Sequence, residues 1–210
     1  MRGLTVPALV IGALSATTAA AEARRPMLTV GVVDRAGIGQ DTVRRATYLA
    51  QQVFLAARIP TQFVNCPVVQ SESHFSVYCP STAGRIDVYL TILPEPAPGH
   101  KVPPTSAGLA MATLSGEIGA RVYVYYGRVS RIAAFGNCTT FRVLGHVMAH
   151  EIGHLLGLRH STWGIMCPDL NYGLVREMRT ANLLFNPDEV RTLRATIGNS
   201  RKRTEHRSAG

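Results

Sequence analysis

No low-complexity tract and no internal repeat stands out in this sequence, which excludes solenoids and long disordered regions. Nowhere do two cysteines stand as a C-x-x-C pair, so a cysteine-based metal site is a weak reading. No helix-turn-helix, no basic sheet interleaved with aromatics and no zinc-finger spacing speaks for nucleic-acid binding, and none is expected. Beyond the N-terminal stretch, no apolar run is long enough to span a bilayer, so no stable membrane insertion of the mature chain is expected. Charged residues are somewhat sparse at 17%, and the 13 acidic ones are outnumbered by 22 Lys and Arg, leaving a formal charge of +9. Part of that excess is local, in Arg201-Lys202-Arg203 and Arg207. Residues 199–210 read as a solvated, frayed basic tail, the rival being attraction to anionic surfaces or acidic substrates.

What remains is a chain of 210 residues, enough for one domain with a real core and a little short for two. Its start, MRGLTVPALVIGALSATTAAAEARRP, has Arg2 as a short positive region, then an uncharged stretch from Leu4 to Ala16, then small residues. That is the layout of a secretory signal peptide, expected over residues 1–23. A membrane anchor is the rival, but the apolar stretch is shorter than the roughly 20 residues of a spanning helix, and Pro7 interrupts it. Export, periplasmic or fully secreted, lets Cys66, Cys79, Cys138 and Cys167 form two disulfides. Three pairings are open. The preferred one is Cys66–Cys79, closing a short polar loop, with Cys138–Cys167 tying the segment before the His-rich helix to the segment after Met166.

Met27–Val33 is a β-branched run that reads as a strand. Asp41–Arg58 carries helical periodicity at Val43, Ala46, Tyr48 or Leu49, Val53 and Leu55, with Asp41 as N-cap and Pro60 beyond its end. Gln62–Val64, Ile86–Leu93, Leu109–Leu114 and Arg121–Tyr126 read as further strands, the third at an edge, and Pro94–Pro104 as a loop. Strands followed by a long helix suggest a mixed, twisted sheet with helices packed on it, an α+β or α/β domain, with α+β preferred.

The decisive segment is HEIGHLLGLRH, His150 to His160. Around it Phe141, Leu144, Met148, Ile152 and Leu155 share one helical stripe. His150 and His154 lie four apart, about 40° apart on another face and one turn above the other, so both imidazoles reach one ion. His160 falls six residues later. In an unbroken helix it would sit about 9 Å further along and about 120° around. The chain must turn between them, and Gly157 is the residue that accepts the left-handed conformation ending many helices. Three neutral histidines leave a fourth coordination position open, the mark of a catalytic rather than a structural zinc site. Glu151 projects beside that metal without being a ligand. It is expected to act as general base toward a zinc-activated water attacking a peptide carbonyl, then to pass the proton to the leaving amine. His146, one turn before His150, reads as packed or supporting rather than as a fourth ligand.

HEIGHLLGLRH resembles the H-E-x-x-H-x-x-G-x-x-H signature of the metzincin zinc peptidases at every fixed position. Met166, in Gly164-Ile165-Met166 close behind His160, looks like the methionine that this family places in a tight turn beneath the metal. The short spacing is similar to that of matrixins and small secreted bacterial relatives. The resemblance is specific from about residue 121 to 166 and only architectural elsewhere. It implies a zincin fold over residues 24–198, with an upper subdomain at 27–160 and a small C-terminal one at 161–198. It also implies one catalytic Zn2+, a protein or peptide substrate, and endopeptidase activity of a monomeric chain. The sequence departs from the family in having no cysteine-bearing propeptide and no acidic calcium-loop signature, so latency by a cysteine switch and structural calcium sites are not carried over. In this family the edge strand near Gly108–Gly116 pairs with extended substrate. An ordinary edge strand is the equal alternative. Met166 also reads as a core residue. The helix opened by Asn186-Pro187-Asp188-Glu189, with a capping-box-like pattern, should be packed down by Val190, Leu193 and Ile197. Rival functions are a zinc-bearing secreted binding protein and a narrow-target peptidase inert on generic substrates.

Overall fold

The computed structural model describes residues 28–70, 75–80, 86–99, 101–111, 121–168 and 172–208. Residues 1–23, Met27 and the far end of the expected edge strand lie outside them. In chain order the elements are β1 (Leu28–Asp34), α1 (Gln40–Ala56), β2 (Thr61–Asn65), β3 (Val68–Gln70), β4 (Phe75–Val77), β5 (Val88–Leu93), β6 (Gly108–Met111), β7 (Arg121–Tyr125), α2 (Tyr126–Phe135), α3 (Thr140–Leu155), α4 (Tyr172–Glu177) and α5 (Pro187–Ser208). Among the described residues no helix is long and apolar enough to cross a membrane.

Five strands form one sheet in the order β2-β1-β5-β7-β6. The first four are mutually parallel and β6 alone runs antiparallel, against β7. The preferred α+β class therefore gives way to a mixed α/β arrangement with a mostly parallel sheet. Parallel neighbours need a crossover, and α1 supplies it between β1 and β2. The alternation of β1 sorts its side chains. Leu28, Val30 and Val32 enter the core shared with the helices. Gly31 faces the other way, where a Cβ would lie 3.0 Å from Cys66 Sγ and 3.4 Å from Cys79 Sγ. Across the sheet Val32, Leu90, Val122 and Ala110 stand in register on the helix-facing side. Adjacent to them runs the row Asp34, Ile92, Val124 and Gly108. The helix-facing side thus ends, at the sheet edge, on two of the smallest residues, and that opens the place where the site is built.

Helix α1 buries Val43, Ala46, Leu49, Ala50, Val53 and Phe54, whereas Tyr48 and Leu55 face outward. It starts one residue earlier than expected: Gly39 occupies the cap position, and Asp41 lies in the first turn paired with Arg44 at 2.5 Å. Asp41 is therefore not the N-cap. Helix α3 buries more than the expected stripe. Leu144, Met148 and Ile152 are joined by Val143, Val147, Ala149 and Gly153, because the sheet, α1, α2 and the C-terminal segment all pack around it. The C-terminal segment contributes Ile165, Met166, Val175, Met178, Leu183, Phe185, Leu193 and Ile197 to that same core.

The capping box of α5 is formed: Asn186 Oδ1 accepts the backbone N–H groups of Asp188 and Glu189 at 3.0 Å, and Glu189 Oε2 accepts that of Asn186 at 2.7 Å. The same helix continues to Ser208, so the basic segment expected to fray is its last part.

The disulfide Cys66–Cys79 is formed, but Cys138 and Cys167 form none. Cys138 precedes the first residue of α3, while Cys167 lies beside the turn under the middle of that helix. About 12 helical residues, roughly 18 Å, separate those levels, far beyond the Cα–Cα reach of a disulfide.

Candidate metal and catalytic site

Helix α3 ends where the spacing of its histidines requires. Gly157 has φ +95°, Leu158 N–H donates to Gly153 O at 3.0 Å, and Gly157 N–H donates to His154 O at 3.0 Å. This pair of bonds is the Schellman closure, which satisfies the last carbonyls and throws the chain sideways. The three residues after Gly157 then bring His160 back toward α3.

The outcome is a cluster of three imidazoles whose nitrogens lie within 4.8 Å of one another. His154 Nε2 stands 3.0 Å from His150 Nε2 and 3.0 Å from His160 Nε2. Two of the other ring nitrogens are held by backbone carbonyls: His150 Nδ1 donates to Ile165 O at 2.7 Å and His154 Nδ1 to Leu158 O at 3.0 Å. A carbonyl only accepts, so these bonds place the proton on Nδ1 and leave Nε2 as a lone pair in the neutral ring. Lone pairs facing one another at 3.0 Å repel unless a cation lies among them. Burial also holds His150 far below the ordinary histidine range, at about 4, so it stays neutral as a ligand must. This donor set fits a zinc ion: three imidazoles with an open side.

A tight turn supports the cluster from below. Cys167 N–H donates to Gly164 O at 3.3 Å, and Ser161 N–H donates to Met166 O at 3.0 Å. The turn delivers Ile165 O to His150 and buries Met166 completely. Met166 packs directly on the ligand helix, since a Cβ on Gly153 would lie 2.8 Å from its sulfur. Its role here is packing beneath the histidines.

Glu151 is the one acidic side chain among the described residues that line this cleft, and it is 7% exposed. Burial raises its carboxyl to about 8, against a partly offsetting hydrogen bond from the Ala110 backbone. The register of β6 explains that bond. Tyr125 N–H donates to Ala107 O at 2.8 Å, so Ala107 and its alternates face β7. Gly108 and Ala110 then turn their backbone polar groups outward, toward the cleft. The Glu151 carboxylate also lies flat against Gly108. A Cβ there would sit 2.5 Å from Glu151 Cγ and 2.6 Å from Cδ and Oε1.

The cleft has a volume of about 370 Å³. The rim at 103–110 forms one wall, α3 the floor, and Ile165, Cys167, Pro168 and Met178 the other wall. His146 lies at its inner end, 1% exposed. Its Nδ1 donates to Arg142 O at 2.7 Å and its Nε2 accepts Leu183 N–H at 3.0 Å, so it joins α3 to the C-terminal segment. Arg142 makes the same connection, donating to Met178 O, Ala181 O and Asn182 Oδ1. His146 is therefore packed, as its sequence position suggested.

The structure thus brings together His150, Glu151, His154, Gly157, His160 and Met166. Cys66 and Cys79 stand apart, under the opposite face of the sheet. The contacts of Gly108 and Ala110 with Glu151 were not foreseen. A glycine at the start of an edge strand is the one signal that pointed to such a close approach.

No protein-family model matches the chain, and no curated protein matches it. Among solved structures it is similar to the crystal structure of archaemetzincin from Methanopyrus kandleri. The identity is 17% and the TM-score 0.49, with 81% of this chain and 96% of that chain covered. It is a loose likeness in overall architecture.

Proposed function

We propose that the protein is a zinc-dependent endopeptidase of the metzincin type, with His150, His154 and His160 holding one zinc ion and Glu151 as general base. The observation that carries this reading is His154 Nε2 standing 3.0 Å from both His150 Nε2 and His160 Nε2, beside a buried carboxylate in the same cleft. Zinc held there supplies Lewis acidity, making a water more acidic and polarising a carbonyl oxygen. The chain's own residues do the rest. Carbonyls of Ile165 and Leu158 orient two of the imidazoles. Glu151, whose buried carboxyl takes up a proton readily near neutral pH, receives one from the attacking water and delivers it to the leaving amine. With a cation held by the histidines, that carboxyl would hold its proton less tightly and stand in the base form before reaction.

A peptide laid along β6 would meet the outward backbone groups of Gly108 and the carbonyl of Ala110, whose N–H is taken by Glu151, an arrangement suited to strand addition. The matrixin-like subtype is supported by HEIGHLLGLRH with the Gly157 break and the Met166 turn. Export is part of the proposal, supported by the leader-like first 23 residues and by the Cys66–Cys79 disulfide. A zinc-bearing binding protein has no need of a buried carboxylate beside its metal. The test is hydrolysis of an unstructured protein such as casein by the mature chain. It should stop on chelation and return with one equivalent of zinc. Hydrolysis that persists in fully demetallated protein would overturn the proposal.

A further inference from the structure

Resting on that reading, we propose that Arg128 is a positioning residue for the general base, acting on Glu151 through the cleft rim.

Arg128 lies in α2, directly after β7, and reaches away from its own helix. Its Nη1 donates to Pro103 O and to Ser106 O, both at 2.6 Å. Those carbonyls belong to the stretch between β5 and β6, whose described residues form no helix or strand until Gly108. The Nη1 amino group carries two N–H donors and so meets both carbonyls at once, and its charge strengthens each bond. Among the described residues no carboxylate pairs with Arg128, and it is held by these carbonyls and by the Tyr125 ring, whose centroid lies 5.4 Å from the guanidinium carbon. The next link is one residue on, where Ala107 O accepts the N–H of Tyr125. Gly108 then presses against the Glu151 carboxylate, and Ala110 donates to it. Two and four residues after Ser106, Gly108 and Ala110 are thus the surface against which the proposed base is seated.

Arg128 is not itself part of the cleft lining and does not touch the three histidines. The rim residues that it grips, Pro103 and Ser106, do line the cleft. Neighbouring Arg131 makes a useful contrast. It pairs with Glu95 at 2.9 Å at the start of the same irregular stretch, on an exposed surface and away from the rim residues. Both arginines tie α2 to one loop, but only Arg128 sets the part that contacts Glu151.

The experiment compares the zinc-loaded wild type with Arg128→Ala, Arg128→Lys and Arg131→Ala. Gly108→Ala serves as the positive control for a displaced base. Steady-state peptide hydrolysis, zinc content and amide hydrogen exchange of residues 104–110 are measured for each. Arg128→Ala should lower kcat by about 10- to 100-fold, as expected when a reacting group is misplaced by a fraction of an ångström. KM should change much less, zinc content should stay at one per chain, and rim amides should exchange faster. Arg128→Lys keeps a charged donor group at this place and should recover part of the loss. Arg131→Ala should stay within about twofold of wild type. A kcat for Arg128→Ala within about twofold of wild type, with Gly108→Ala impaired, overturns the proposal. So does loss of zinc or of folding in Arg128→Lys, which would make the arginine merely structural. If the wild type cuts nothing, the endopeptidase reading fails instead. Unchanged rim exchange in Arg128→Ala then still decides against the positioning role.

Discussion

His146 offers a quantitative test of how the active-site helix is held to the C-terminal segment. The ring is fully committed in its neutral form, giving its Nδ1 proton to Arg142 O and accepting Leu183 N–H at Nε2. Protonation would aim an Nε2–H at another N–H. Burial pushes its pKa from 6.5 to about 4, and the Arg142 guanidinium adds to that, against the opposing hydrogen bond to Arg142 O. The sign follows from proton uptake: below pH 6.5 the unfolded chain binds a proton that the folded one refuses until about pH 4. The stabilisation is present above the unfolded value and is lost as pH falls through that window. Its size is about 3 kcal/mol. Urea unfolding of the metal-free protein, at neutral pH and near pH 4, should show wild type losing about 3 kcal/mol more than His146→Gln. His146→Ala leaves the buried Leu183 N–H without its acceptor and should cost about 2–4 kcal/mol at neutral pH, while Gln restores part of that. An identical acid-induced loss in wild type and His146→Gln would refute the assignment.

Other perturbations probe separate links. Gly157→Ala forces a side chain into a φ of +95° and should cost about 1–2 kcal/mol by denaturation. It should also weaken zinc binding by displacing His160, and an unchanged zinc affinity would count against the turn as the device that delivers that ligand. Asn186→Ala removes the acceptor of two N–H groups at the start of α5 and should lower stability by about 1 kcal/mol without changing zinc content. Non-reducing peptide mapping should find Cys66 joined to Cys79, with Cys138 and Cys167 outside any disulfide. A Cys138–Cys167 peptide would contradict the fold.

The legible parts of the sequence are those where one local constraint leaves no choice. Residue 160 can join residues 150 and 154 only if the helix stops, and Gly157 is where it stops. Asn186 and Glu189 mark a helix start because their side chains meet nearby backbone. The β-branched runs of β1, β5 and β7 became the central strands for the same reason. Helix α2 was missed because it follows β7 with no intervening turn residue and no side-chain cap. The short α4 and the β3–β4 pair are too brief for periodicity to register. Strand order and the parallel sense of four strands reside in contacts between distant segments. The Cys138–Cys167 pairing failed for that reason too: sequence proximity to one helix says nothing about which end of it. The seating of Glu151 on Gly108 and Ala110 depends on β6 register and lies equally outside local reach.

The central claim is tested most directly by exposing a mixed peptide library to the mature, zinc-loaded chain and to its Glu151→Ala variant. Products are read by mass spectrometry, and metal content is measured on both proteins. The account predicts internal cuts by the wild type alone, with equal zinc in the two. Equal cutting by the variant would contradict the role of Glu151, and no cutting by either, with zinc bound, would contradict a general endopeptidase.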